Sequence, residues 1–193
     1  MFAPLIAMVV MLAPVQGAQP TMCPIMGGPA AKGGPVVEYA GARYEFCCPG
    51  CDGTFQKGPA AALKSDKIKG KTVGVFLFDP VSRKRIEAKD AKGGSVDFNG
   101  TRYLFSTAAN KAAFEKDAKK LAAVPAKESL SCPVSAEVVE TYAKASGYAD
   151  HNGVRYYFCC AGCEAPFGKE MDKYAGKVAK FVKAPGAHKG ATN

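Results

Sequence analysis

The sequence predicts an α+β protein built from three tandem copies of one small unit, and three observations carry that reading. The first is an internal repeat. GARYEF at 41–46, GTRYLF at 100–105 and GVRYYF at 153–158 share one Gly-X-Arg-Tyr-X-Phe frame, and Phe55, Phe114 and Phe167 close the copies at matching distances. The copies are offset by 59 and then 53 residues. The second is the turn chemistry before each frame. Ala40-Gly41, Asn99-Gly100 and Asn152-Gly153 follow short β-prone runs, as hairpin loops do. The third is an opening dipeptide that ends in proline. Cys23-Pro24, Asp79-Pro80 and Cys132-Pro133 precede Cys47, Ser106 and Cys159 with 23, 26 and 26 residues intervening. Each unit therefore reads as a turn, a β-hairpin and a helix.

In chain order, residues 1–18 come first as a leader. MFAPLIAMVVMLAPVQGA carries an apolar run of about a dozen residues without charge, then Gly17 and Ala18, and the first basic residue is Lys32. That length suits a signal-peptide core and falls short of the ~20 apolar residues of a membrane span. The expectation is export, to a periplasm or beyond the cell.

Unit one spans 23–66. VVEY and RYEF supply its strands, and CCPGCDGTF starts its helix, with Pro49 expected in the first turn and Phe55 one turn beyond Cys51. Cys47 and Cys51 are four apart and Cys48 and Cys51 three apart, so either pair can face one point from a helix N-terminus. The helix dipole there favours thiolate over thiol. A linker is expected over 64–73.

Unit two spans 72–122. Its run TVGVFLF, with Phe76, Phe78, Phe98, Tyr103, Phe105 and Phe114, predicts an enlarged aromatic core. Asp79, Ser106, Thr107 and Asn110 stand where the other units carry cysteines. Those sparse oxygen donors are wrong for a soft metal, so this unit is expected to be structural. A second linker is expected over 122–130. Unit three spans 128–183 and repeats the cysteines, with Pro166 expected to delay or bend its helix. His151 is read as a polar turn residue. Residues 184–193 read as a flexible Gly/Ala/Lys tail in which His188 has no specific role.

The net charge of +9 and pI near 9.1 come with lysines spread along the presumed helices, which is the pattern of a solvated face. No nucleic-acid fold or aromatic-basic platform accompanies them, so nucleic acid is excluded as the expected partner. Weak adsorption to anionic envelope surfaces fits the charge. No Ser/His/Asp set, no base beside a nucleophile and no histidine cluster is present, so no enzyme is expected.

Eight cysteines decide the function class. YEFCCPGCDGTF and YYFCCAGCEAPF each place three thiols in five positions. An oxidising compartment favours disulfides, whereas this repeated spacing favours a metal site. Thiolates are soft donors that select Zn(II), Cu(I) and other thiophilic ions over Mg(II) or Ca(II).

The frame of Cys/Asp-Pro, hairpin, Tyr-X-Phe-Cys-X3-Cys-X3-Phe and helix resembles the YHS module, a relative of the TRASH heavy-metal-binding domain, over 23–66, 79–122 and 132–180. The resemblance implies treble-clef-like units of knuckle, hairpin and helix. It implies trafficking, sequestration or sensing of copper, zinc or another heavy metal, with a metal donor or acceptor protein as partner. The implied ligands are Cys23, Cys47 and Cys51, then Cys132, Cys159 and Cys163, so that the chain holds up to two Cu(I) or Zn(II) ions. Many such modules carry a further cysteine three positions after the opening one, where this chain has Met26, Ser82 and Ser135. Cys48, Cys160 and the Met26 thioether are the candidates for a fourth ligand. Two other readings stay open. Disulfides Cys23–Cys51 and Cys132–Cys163 would staple an envelope interaction protein, and the two C-x-x-C motifs would suit a thiol-redox protein, although these repeats lack the βαβ framework of a thioredoxin.

Overall fold

A computed structural model describes residues 20–190, so the expected leader at 1–18 lies outside the described residues. The class is α+β, with two sheets and six α-helices among the described residues. Three hairpins form where the turn dipeptides predict them. β1 (Val36–Tyr39) and β2 (Ala42–Glu45) pair antiparallel, as do β4 (Gly94–Phe98) with β5 (Thr101–Phe105) and β7 (Gly147–His151) with β8 (Val154–Phe158). Both residues of each turn have positive φ: 51° and 79° at Ala40-Gly41, 48° and 78° at Asn99-Gly100, 48° and 75° at Asn152-Gly153. That geometry matches the right-handed strand twist and needs glycine at the second position.

Each register places an acid directly opposite the repeated arginine. The pairs are Glu38 with Arg43, Asp97 with Arg102 and Asp150 with Arg155. The second and third are two-pronged: Arg102 donates to Asp97 at 2.7 and 2.8 Å, and Arg155 to Asp150 at 2.8 and 2.9 Å. Arg155 is the most deeply placed, donating also to the Ala123 carbonyl and lying 4.1 Å over the Tyr148 ring.

A helix follows each hairpin: α1 (Cys51–Lys57) with α2 (Pro59–Ala62), α3 (Ala108–Lys116) with α4 (Ala118–Leu121), and α5 (Glu164–Lys169) with α6 (Met171–Lys177). The closing phenylalanine of each copy is what seats the helix. Phe55 is ringed by Tyr39, Tyr44 and Phe46, Phe114 by Phe98, Tyr103 and Phe105, and Phe167 by His151, Tyr156 and Phe158. All three are fully or almost fully buried. His151 is therefore more than a turn residue. It takes the place of Tyr39 and Phe98, edge-on to Phe167, while its Nε2 lies 2.7 Å from Asp172 Oδ1.

The structure departs from the sequence reading at the linkers. β3 (Gly74–Phe76) pairs antiparallel with β2 and parallel with β5, which joins the first two hairpins into a six-stranded sheet of order β4-β5-β3-β2-β1-β9. Here β9 is His188–Lys189. β6 (Lys127–Ser129) runs parallel to β8 in a three-stranded sheet, order β6-β8-β7. The expected linker at 122–130 thus holds a strand, and that at 64–73 contains a 3-10 turn at Asp66–Ile68. Pro49 lies just outside its helix, because Gly50 caps α1 at φ 91° and the helix starts at Cys51. At Pro166 the expectation holds: a 3-10 turn, Ala161–Cys163, precedes α5, which starts one residue later than α1 does relative to its cysteines.

The tail is not free over its described part. His188 sits opposite Glu38 at the β1 edge, and its ring packs edge-on against Tyr142 at 5.4 Å. Tyr142 in turn donates to buried Glu128 Oε1 at 2.5 Å. One core runs from unit one through unit two to Tyr142, Tyr148 and Tyr157, while Cys132, Phe158, Phe167 and Val178 belong to a second core within unit three.

Removing the guanidinium of Arg155 strands Asp150 and the Ala123 carbonyl. Arg155→Ala is expected to lower the unfolding free energy by about 2–4 kcal/mol, the range for charged hydrogen bonds beside a partly exposed partner. Chemical denaturation followed by circular dichroism measures it, and a loss under about 0.5 kcal/mol, the size of an ordinary surface change, contradicts the assignment.

Candidate metal centres

The knuckles that open the units have one backbone design. Cys23 N donates to Gly28 O, Asp79 N to Lys84 O and Cys132 N to Glu137 O. The return bonds run from Gly27, Arg83 and Ala136 to the carbonyls of the same three opening residues. Gly27, Arg83 and Ala136 all have positive φ, 71°, 61° and 62°, so two non-glycine residues accept a left-handed conformation to complete the loop. The loop leaves the amides two and three residues beyond the opening residue turned toward its side chain. Cys47, Ser106 and Cys159, one or two residues after β2, β5 and β8, add a third amide.

In unit two the acceptor of this nest is a carboxylate. Asp79 Oδ1 accepts from Val81 N at 3.0 Å and Ser82 N at 3.2 Å. Its Oδ2 accepts from Ser106 N at 2.9 Å, Ser106 Oγ at 2.7 Å and Asn110 Nδ2 at 2.7 Å. Asp79 is 1% exposed. Burial raises its pKa, but the hydrogen bonds from Asn110, Ser106 and Val81 outweigh it and hold the carboxyl below its usual value. Thr107, at the place of Cys48 and Cys160, instead caps α3 by accepting from Asn110 N at 3.1 Å.

Units one and three put sulfur in the nest. Amides of Cys47, Met26 and Ile25 face the Cys23 sulfur, and amides of Ser135, Cys159 and Val134 face Cys132. Burial again raises both pKa values, and again the amides prevail: Cys23 ends below its usual value and Cys132 at about 7. The nest therefore favours the thiolate form of the opening cysteine in both sites.

Around that thiolate the other ligand candidates converge. The sulfurs of Cys23, Cys47 and Cys51 all lie within 4.8 Å of one another, and so do those of Cys132, Cys159 and Cys163. Cys47 and Cys159 come just after β2 and β8, Cys51 is the first residue of α1, and Cys163 immediately precedes α5. Each trio is close enough to hold a metal ion. Metal–sulfur bonds of about 2.3 Å put tetrahedral ligands about 3.8 Å apart, and Cys159 and Cys163 are already 3.8 Å apart. All eight cysteines are free thiols. Crowding opposes a second thiolate. Hydrogen bonding to Cys48 and burial push Cys51 well up, burial and the neighbouring Cys23 push Cys47 up, and burial with Cys160 and Cys132 pushes Cys163 well up. A bound cation would reverse that repulsion.

The fourth-ligand candidates lie at the margin. Cys48 and Cys160 stand outside the trios, with Sγ 2.9 Å from Cys51 and 3.3 Å from Cys163 respectively. Met26 is 58% exposed and turns its backbone amide, not a buried thioether, toward Cys23. Ser135 stands at the place of Met26, as the sequence indicates, but its contacts and the part played by Glu137 are what the sequence reading missed. Ser135 Oγ is 3.3 Å from Cys159 Sγ and donates to Glu137 Oε2 at 3.3 Å. The hydroxyl pulls the Cys159 pKa down, while burial, Glu137 and Cys132 push it up to a net of about 11. Site three thus has hard oxygen donors beside its thiols, where site one has Met26 and Gly28. The S-x-E pattern after Cys132-Pro133 was the available signal.

No protein-family model matches the chain, and no curated protein and no solved structure matches it.

Because unit two needs a charged Asp79, Asp79→Asn is expected to cost about 3 kcal/mol, given that hydrogen bonds to charged groups contribute about 1.5–3 kcal/mol. A carboxyl held below its ordinary 3.8 in the folded chain adds stability above that pH, and the contribution disappears as pH falls through the folded value. Stability measured from pH 6 down to pH 2 should therefore fall more steeply in the wild type than in Asp79→Asn. Parallel curves would show that Asp79 carries no charge-dependent role.

Proposed function

We propose that the protein is an exported, non-enzymatic holder of thiophilic metal ions, Cu(I), Zn(II) or another heavy metal, with one ion at Cys23, Cys47 and Cys51 and one at Cys132, Cys159 and Cys163. The observation that carries the reading is the convergence of three sulfurs, twice, on a thiolate favoured by backbone amides. Unit two, with Asp79 in that place, is the structural bridge. The chemistry favours soft ions because every convergent donor is sulfur. Oxygen donors near Cys159 favour Zn(II) at site three more than at site one. Cargo moves to or from a donor or acceptor protein, and the YHS resemblance supports trafficking, sequestration or sensing as the setting. The leader at 1–18 supports a periplasmic or secreted location. No helix among the described residues is long and apolar enough to cross a membrane. The positive charge supports weak adsorption to anionic envelope surfaces.

Protein purified reduced and without oxygen should carry up to two ions per chain by elemental analysis. Cys51→Ser with Cys163→Ser should remove both, and unchanged metal per chain in that double variant contradicts the ligand assignment. Since Cys47, Cys51, Cys159 and Cys163 hold protons more tightly than free thiols, metal uptake must expel them. Affinity is therefore expected to fall as pH is lowered from 8 to 6, with proton release in a weakly buffered calorimetric titration. Uptake without proton release overturns the thiol-ligand picture.

A further inference from the structure

Cys51 and Cys163 each belong to two sulfur groups. Within the trios they are ligand candidates, yet each also lies beside a cysteine outside its trio. Cys51 Sγ is 2.9 Å from Cys48 Sγ, and Cys163 Sγ is 3.3 Å from Cys160 Sγ against 3.8 Å to Cys159. Residues three apart on one helical turn meet on one face, and the 3-10 turn Ala161–Cys163 makes that approach in unit three. A sulfur joined to another sulfur is no longer an anionic ligand. The Cys48–Cys51 bond and a complete first trio therefore exclude each other, as do the Cys160–Cys163 bond and a complete third trio. Access differs between the two partners. Cys160 is exposed and Cys48 half-buried, while Cys51 and Cys163 are buried.

We propose that Cys160, and more slowly Cys48, is the entry point for a small-molecule disulfide, and that each C-x-x-C pair is a redox gate on the metal trio beside it. This rests on the metal-holding reading. The Cys160 thiolate attacks one sulfur of R–S–S–R, the S–S bond breaks, and RS⁻ departs with the electron pair, leaving Cys160–S–S–R. The Cys163 sulfur then attacks the Cys160 sulfur, the second RS⁻ departs, and the Cys160–Cys163 disulfide forms. Two cysteine sulfurs lose two electrons in total, one disulfide gains them, and the two departing thiolates take up protons from water. The metal loses Cys163 and keeps two thiolates, which hold it more weakly. A thiol reductant reverses the sequence and restores the trio. Unit three opens before unit one because its entry sulfur is the exposed one.

The test uses the full mature chain, reduced, loaded with Zn(II) and exposed to oxidised glutathione without oxygen. A chromogenic chelator reads released zinc, and peptide mass spectrometry maps the bridges on loaded and metal-free protein alike. The expected result is release of both ions, the first together with a Cys160–Cys163 bridge and the second with a Cys48–Cys51 bridge. Cys160→Ser should release only the ion of unit one, and Cys48→Ser with Cys160→Ser should release neither while binding both. If bridges instead join Cys132 or Cys159 to Cys163, or if Cys160→Ser releases zinc as the wild type does, the gate is overturned and the metal reading stands. If the reduced chain takes up neither Zn(II) nor, in a parallel loading, Cu(I) before oxidant is added, the metal reading itself fails, and the gate with it.

Discussion

Three backbone N–H groups, two from each proline knuckle and one from the end of its hairpin, point toward one side chain, which must be negative or strongly accepting for them to be satisfied. Everything else in a unit is placed by this requirement. The left-handed residue at Gly27, Arg83 or Ala136 closes the loop that aims two of the amides, and the end of the second hairpin strand brings the third. The hairpin keeps that end in register through its glycine turn and its acid–arginine pair. The closing phenylalanine then fixes the helix whose first turn carries Cys51, Asn110 or, one residue before it, Cys163.

One nest is therefore filled in two ways. Aspartate brings its own charge and oxygen geometry, so Asp79 can accept five hydrogen bonds, three from backbone amides and two from side chains, and complete unit two from the protein's own groups. A cysteine sulfur is a weaker acceptor, and the space that Ser106 and Asn110 fill with hydrogen bonds is occupied in the outer units by two more thiols. Burial and hydrogen bonding among those thiols, with their mutual repulsion as anions a smaller cause, raise Cys47, Cys51 and Cys163. The outer units thus have an electrostatic use for a soft cation that unit two does not have. Units of this size bury little core alone. Unit two and the strand β3 tie the first hairpin into a larger sheet, and the β9 strand with Tyr142 and Glu128 ties unit three to unit one.

The hairpins, the helices and the approach of Cys47 to Cys51 were legible because turn glycines, the Arg-Tyr frame and close cysteine spacing are local signals, whereas Cys23, far off in sequence, joined the group only through the resemblance to the YHS module. β3 and β6 were not. Lys-Glu-Ser at 127–129 has neither alternation nor β-branched residues, and it is a strand only because β8 offers a parallel edge. His188 looked idle in a Gly/Ala/Lys tail because its partners, Glu38 and Tyr142, lie far away in sequence. The amide nest was invisible for a related reason: backbone donors have no sequence signature beyond the proline that follows the opening residue. Met26 drew attention as a soft side chain, whereas its amide is what faces the site.

The central claim is that the three units share one site geometry and differ only in what fills it. Its most direct measurement is metal content per chain, by elemental analysis of reduced protein, for a variant carrying Asp79→Cys, Ser106→Cys and Asn110→Cys together. The account predicts one equivalent of Zn(II) or Cu(I) more than the wild type holds, because the middle nest would then face the same three sulfurs as its neighbours. An unchanged metal content in a variant with native circular dichroism would contradict it.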